Sequence, residues 1–280
     1  MLAARPNNTT APTMVPEMND SEPANVNDTG PSNRHELAPA LSFNGVSMVY
    51  PDGTHALSET SFDVRPGEFV TVVGPSGCGK STLLKIASGL NKPSTGSITV
   101  DRSKVGYVFQ DATLLQWRNV RRNVELLAEL EGIGRAERAA RAAEAISLVG
   151  LDGFENKYPK QLSGGMKMRA SLARSLVLNP KVFLFDEPFG AVDEITRERL
   201  NDEVLSLFTR QGFAGLFITH SISEAVFLST RVLVMSARPG RIVADYPVPF
   251  SYPRQPDLRF DPAFAQLAGE ISHALRGAHA

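Results

Sequence analysis

The chain has 280 residues, 42% of them hydrophobic and 21% charged, with a net charge of −1. That length suffices for one large domain or two small ones with a sizeable core, and the balanced charge lacks the basic excess of a general nucleic-acid binder. A single cysteine, Cys78, excludes an intramolecular disulfide and fits a reducing compartment. The longest apolar runs are strand-sized, well short of the roughly 18 residues that a spanning helix needs. No basic segment followed by an apolar stretch opens the chain, so no secretory signal is expected. A role at a membrane would therefore depend on other chains.

Residues 1–40 are rich in Pro, Asn, Thr and Glu and show no period, which predicts a disordered tail. From Leu41 the pattern changes. Leu41 to Val46 alternates as a strand, Tyr50-Pro51-Asp52-Gly53 has turn chemistry, and Ala56 to Val64 reads as a strand again. Phe69 to Val73 is a β-branched run ending in a glycine-rich loop, and Ser81 to Leu90 reads as the helix after it. Val105 to Phe109 is an apolar strand. Residues 111–178 are mostly helical in pattern, with Arg135 to Val149 placing Ile146 and Val149 on one face. Val182 to Phe185, Gly215 to Thr219 and Val232 to Met235 are short, wholly apolar strands of the kind buried in a parallel sheet. The expected fold class is α/β: a P-loop core with a parallel sheet, an N-terminal antiparallel β portion and a helical insertion at about 111–178. One domain would span 41–275, with a short tail at 276–280.

Gly74-Pro75-Ser76-Gly77-Cys78-Gly79-Lys80-Ser81 matches G-x-x-x-x-G-K-[ST] and is followed by Thr82. Phosphates need closely spaced backbone N–H donors without intruding side chains, hence Gly74, Gly77 and Gly79. The next helix aims the positive end of its dipole at the anion. Lys80 is expected to reach the β- and γ-phosphates of ATP and Ser81 to ligate Mg²⁺. Cys78 is read as a small residue filling the loop rather than as a redox centre.

Val182 to Phe185 ends in Asp186-Glu187. An acid at the carboxyl end of a buried strand beside a phosphate loop suits a Mg²⁺ ligand, here Asp186. Glu187 is placed to orient or polarise an attacking water.

Leu162-Ser163-Gly164-Gly165-Met166, lying between the phosphate loop and Asp186, resembles the signature sequence of ABC ATPases. The resemblance extends from about Leu41 to Ala237. It implies that Tyr50 stacks on adenine, that Gln110 is the Q-loop glutamine near Mg²⁺ and the γ-phosphate, that Asp193 belongs to the D-loop and that His220 is the switch histidine. It also implies a dimer, most simply a homodimer, in which each ATP lies on the phosphate loop of one subunit and under Ser163, Gly164 and Gly165 of the other. Two positions depart from the family pattern: Met166 where Gln is frequent, and Gln116 where Pro often precedes the tryptophan.

The segment Thr113 to Val120 and the stretch Ala237-Arg238-Pro239-Gly240-Arg241-Ile242-Val243 resemble importer ATPases of the nitrate, sulfonate and taurine group, whose relatives carry pyrimidine precursors. That implies separate transmembrane permease subunits, an extracytoplasmic solute-binding protein acting indirectly, and a peripheral place on the cytoplasmic face of the inner membrane. An exporter ATPase and a non-transport ABC ATPase are the alternatives. Leu114, Leu115 and Trp117 beside Arg118 suit a groove for a short permease helix; the alternative is that Trp117 packs the junction between the α/β core and the helical insertion.

Overall fold

The computed structural model describes residues 38–278 and Met1. The tail expected over residues 1–40 thus falls, up to residue 37, outside the described residues. Ala40 is already tied to the domain, donating its N–H to Val64 O at 2.9 Å.

The described residues open with antiparallel β1 (Leu41–Val49) and β2 (His55–Val64). Then come β3 (Phe69–Val73), α1 (Lys80–Ala87), β4 (Thr95–Val100) and β5 (Val105–Val108). Helices α2 (Val120–Val124), α3 (Leu126–Leu130), α4 (Arg135–Leu148) and α5 (Gly164–Leu176) occupy the expected insertion. After β6 (Val182–Asp186) the chain alternates through α6 (Glu194–Gln211), β7 (Ala214–Thr219), α7 (Ile222–Leu228) and β8 (Arg231–Met235). It closes with β9 (Ile242–Pro247) and α8 (Pro262–Gly277), so helix occupies the start of the segment expected as a tail from 276.

Two sheets form. A three-stranded sheet has the order β2-β1-β4, and a six-stranded one the order β5-β6-β7-β3-β8-β9. The large sheet is parallel except at β9, which pairs antiparallel with β8. Among the described residues no helix is long and apolar enough to cross a membrane.

Period-two alternation explains how the central strands serve two cores at once. Phe69 and Val73, Phe183 and Phe185, and Phe217 face the side covered by α2 and α4 to α8. Val70 and Val72, Val182 and Leu184, and Leu216 and Ile218 face α1 and the small sheet. Both faces are covered, so these strands read as unbroken apolar runs. On the first face the rings of Phe69, Phe185, Phe208, Phe213 and Phe217 pack together, with Phe69–Phe208 centroids 5.3 Å apart and edge-on.

Gly215, inside β7, makes that cluster possible. A Cβ there would lie 2.7 Å from Cδ2 and 3.0 Å from Cε2 of Phe69. Glycine's usual entropic cost in a strand is outweighed because the Phe69 ring, held by four neighbouring rings, has nowhere to move. Gly215→Ala is therefore expected to destabilise the fold by about 1–3 kcal/mol, with the loss relieved by adding Phe69→Leu. Chemical denaturation midpoints of the single and double variants check this; a Gly215→Ala protein at least as stable as the parent contradicts it.

Candidate active site

The loop between β3 and α1 sets the geometry. Gly77 and Gly79 have φ of 74° and 109°, values that side-chain-bearing residues rarely adopt. Gly79 also abuts the small sheet, where a Cβ would sit 2.7 Å from Ala56 O. It is the N-cap of α1 and offers no side-chain acceptor, and the first turn of α1 holds no acid. Helices α5 and α6 differ: Ser163 and Asp193 cap them by accepting from Met166 N and Thr196 N. The start of α1 is thus left with backbone donors for an external anion. Cys78 is buried, and burial pushes its thiol pKa up, which fits packing rather than reactivity.

Lys80 is buried, and its Nζ donates to Gly74 O and Pro75 O, both at 2.9 Å. Holding the ammonium across its own loop fixes the charge in place. It also lies 3.8 Å from Glu187 Oε1. Ser81 Oγ donates to Asp186 Oδ1 at 2.8 Å, and the other carboxylate oxygen accepts from Tyr107 OH at 3.1 Å. Burial, followed by the charge of Asp186, raises the Tyr107 pKa, so the phenol stays a donor. Tyr107 was not singled out from sequence, since a tyrosine in an apolar strand carries no motif.

Glu187 has φ 43°, an uncommon value for a side-chain-bearing residue. Its backbone is held by Glu187 N donating to Ile218 O at 3.0 Å and Gly190 N donating to Glu187 O at 3.1 Å. Glu187 Oε2 lies 3.1 Å from His220 Nδ1, while its side chain retains 24% exposure. A carboxylate held between Lys80 and His220, yet open to solvent, can accept a proton from water or orient it.

A cleft of about 330 Å³ runs past these groups, lined by Tyr50 and Thr54 at one end, by Ser76, Gly77 and Gly79 to Thr82 along the loop, and by Glu187 and Arg238. Tyr50 OH lies 3.2 Å from Thr82 Oγ1 and accepts from Asn91 Nδ2 at 3.3 Å, which fixes the ring at the cleft mouth. Sequence reasoning used Arg238 only as part of a resemblance, yet its Nε donates to Gly77 O at 3.0 Å.

The remaining expected residues lie elsewhere. Gln110 is exposed just past β5, its Nε2 about 3.7 Å from where a Cβ on Gly190 would sit. Ser163 and Gly164 are exposed at the start of α5, and Gly165 is wedged against Thr196. None of the three lines the cleft. Asp193 caps α6 and is not among the cleft residues either. Two buried charged groups connect these loops. Glu224 accepts from Thr219 Oγ1, one residue before His220, and lies 3.8 Å from Arg197 Nε; Arg197 in turn donates to Phe189 O and Val192 O before Asp193. Arg174 of α5 donates to Ala112 O and Thr113 O, just after Gln110.

Trp117 is 75% exposed and so does not pack the junction; Leu114, 7% exposed, does. The loop is rigidly held all the same. Buried Asn123 accepts from Leu115 N at 2.7 Å and donates to Leu115 O, Arg118 O and Asn119 O. The adjoining segment, tied by Val120 N to Lys157 O, carries the exposed Phe154 and Tyr158.

Known proteins match this chain in both sequence and shape. The ABC transporter family profile matches residues 57–190. A putative ATP-binding protein of Brucella abortus is 44% identical over 246 residues, covering 85% of this chain and 94% of that protein. The taurine import ATP-binding protein of Rhizobium johnstonii is 45% identical over 81% of this chain and 91% of its own length. The nitrate import ATP-binding protein of a Synechocystis strain is 41% identical over 79% and 88%. Among solved structures, the dimeric post-hydrolysis state of the ATP-binding cassette MJ0796, bound to ADP and Pi, superposes with a TM-score of 0.66 at 30% identity, covering 75% of this chain and all of that one. A glycine-lined anion cradle, an acid pair at the end of the neighbouring strand and these relatives converge: the chain belongs to the ABC transporter ATP-binding family and is an ATPase subunit.

Proposed function

We propose that this ATPase drives an importer for small anionic or zwitterionic solutes of the nitrate, sulfonate or taurine kind, or for a pyrimidine precursor, through separate permease subunits on the cytoplasmic face of the membrane. The observation that carries the catalytic part is the Glu187 carboxylate held between Lys80 and His220 beside the phosphate loop. Lys80 and the donors of the loop and of α1 would bind the β- and γ-phosphates, and Tyr50 the adenine. Glu187 takes the water proton and His220 keeps that carboxylate oriented. The oxygens of Ser81 and Asp186, with the Gln110 amide, fit Mg²⁺, which takes one or two protein oxygens and completes its shell with phosphates and water. Bound there, the ion neutralises charge that builds on the phosphates; Tyr107 keeps the second Asp186 oxygen occupied and the carboxylate aimed.

Because Ser163 and Gly164 are exposed at the start of α5 and neither they nor the buried Gly165 line the cleft of their own chain, that helix start is available to a nucleotide held by a second copy. A head-to-tail homodimer closed by two ATP molecules follows, in keeping with the dimeric cassette that this chain resembles. Asp193 and the loop before it would lie at that seam. The importer reading rests on the taurine and nitrate relatives and on the pinned, exposed Trp117 loop. A solute-binding protein would meet the permease and not this chain.

Glu187→Gln keeps the side-chain shape and removes the base. It should bind ATP but hydrolyse it about 10²–10³-fold more slowly, and accumulate an ATP-bound dimer on size-exclusion chromatography. Hydrolysis near the parent rate would remove Glu187 from the catalytic role.

Trp117→Ala should leave the melting temperature and basal ATPase of the isolated subunit unchanged, because the indole packs against little of its own chain. Co-purification with the permease and transport should both fall, since an exposed aromatic on a rigid loop is the usual anchor of a docking surface. Normal assembly with the permease by Trp117→Ala would count against this surface.

A further inference from the structure

The cleft carries a second cation whose role the phosphate-loop motif does not supply. Arg238 sits in the turn between β8 and β9, more than 150 residues from the loop it touches, with its Nε donating to Gly77 O at 3.0 Å (a sequence separation of 161). Its backbone is not free to drift. Gly240, two residues on, donates to Ala56 O at 3.0 Å and accepts from Ser58 N at 2.9 Å, clamping the turn onto β2. Gly240 also lies so close behind the phosphate loop that a Cβ there would collide with Cys78 O. The turn is thus wedged against the loop, and Arg238 projects along its rim into the same cleft as Tyr50, Gly77 and Lys80.

The guanidinium is only partly used. Of its five N–H donors, only Nε–H meets a protein acceptor among the described residues. The Nη2 end lies 3.3 Å from where a Cβ on Gly77 would sit, so it remains beside the phosphate loop. Arg238 shares the cleft lining with Tyr50 and Thr54, which puts it at the mouth of the cleft as well. An exposed arginine with free planar donors, fixed at a rim that already holds Lys80, suits a polyphosphate, for which bidentate guanidinium contacts are well shaped.

We propose that Arg238 is a nucleotide-binding residue: its guanidinium contacts the phosphate chain of the bound nucleoside triphosphate at the Gly77 rim, adding a charge to the site beyond that of Lys80. The inference rests on the cleft being the nucleotide site. With Nε–H on Gly77 O, the rigid guanidinium plane keeps its Nη N–H donors at the rim, where they can meet phosphate oxygens without moving the backbone. Arg238 thereby ties the β8–β9 turn to the occupancy of the cleft.

The test uses the full chain and measures dissociation constants for ATP, ADP and inorganic triphosphate at two ionic strengths, for the parent, Arg238→Ala and Arg238→Lys. Arg238→Ala should raise the ATP and triphosphate constants about five- to twentyfold, a charged hydrogen bond discounted for exposure, and should flatten their salt dependence. Arg238→Lys should restore part of the affinity through its charge. The melting temperature without nucleotide should stay within a degree or two of the parent, since surface substitutions are usually near neutral. Unchanged constants and salt dependence would overturn the proposal, as would a lowered melting temperature with unchanged affinity, which would make Arg238 a prop for the loop. Loss of adenosine-dependent affinity with triphosphate binding intact would also overturn it, by moving the contact to the sugar or base. Lys80→Ala is the control. If the parent binds ATP in a Lys80-dependent way and Arg238→Ala is silent, only this inference fails; if the parent shows no Lys80-dependent binding, the nucleotide reading of the cleft fails with it.

Discussion

Three adjacent strands, β6, β7 and β3, run parallel in register, with Asp186 opposite Ile218 and Thr219 opposite Val73. Parallel pairing brings their carboxyl ends to one edge of the sheet, and at that edge each strand hands over to a residue with chemistry: Gly74 after Val73, Glu187 after Asp186, His220 after Thr219. No local segment could assemble this set, since 105 residues separate Ser81 from Asp186 and 33 separate Glu187 from His220. The register depends in turn on the buried phenylalanine cluster and on the small residues that make room for it. Gly215 for Phe69 and Gly106 for Phe183 are packing devices whose product is the alignment of the site.

The polar groups under that edge are arranged to keep the loops in step. Glu224 is buried, and burial raises its pKa despite the opposing hydrogen bond from Thr219 and the charge of Arg197. It therefore joins the strand end before His220 to the segment before Asp193. Arg174, whose pKa burial lowers, does the same between α5 and the residues after Gln110. Breaking one partner of either group would leave a buried polar atom without compensation, so both links are expected to move as units rather than separate.

The central strands were legible in the sequence because burial on both faces leaves unbroken apolar runs, as in Val182 to Phe185. The phosphate loop was legible because its glycines are dictated by backbone conformation and close approach, with Gly79 at φ 109°. Strands β4 and β9 were not, since both are sheet edges without a fully buried residue; in β4 Thr, Ser and Gly dilute the apolar signal, and β9 ends in Asp245-Tyr246-Pro247. Helices α6 and α8 escaped because their buried faces are narrow, α6 being rich in charged residues, and α7 escaped because five of its seven residues are buried, which leaves no amphipathic period to read. Ring and guanidinium contacts such as Tyr107 with Asp186 and Arg238 with Gly77 join residues 79 and 161 positions apart, a separation over which one sequence has no periodicity to read. The exposure of Trp117 likewise came from the fold: Leu114 took the buried position, and Asn123 used its amide to hold the turn that pushes the indole outward.

That outward indole has an optical consequence. Trp117 is the only tryptophan in the chain, and three-quarters of its surface meets solvent. Intrinsic tryptophan emission from this protein thus originates wholly from one loop, with no contribution from the core. An indole in water emits to the red of one under apolar cover, so any molecule that settles on the loop changes the colour of the signal without a label. Asn123 holds the loop still, which keeps that colour a readout of what lies on the surface rather than of the loop's own wandering.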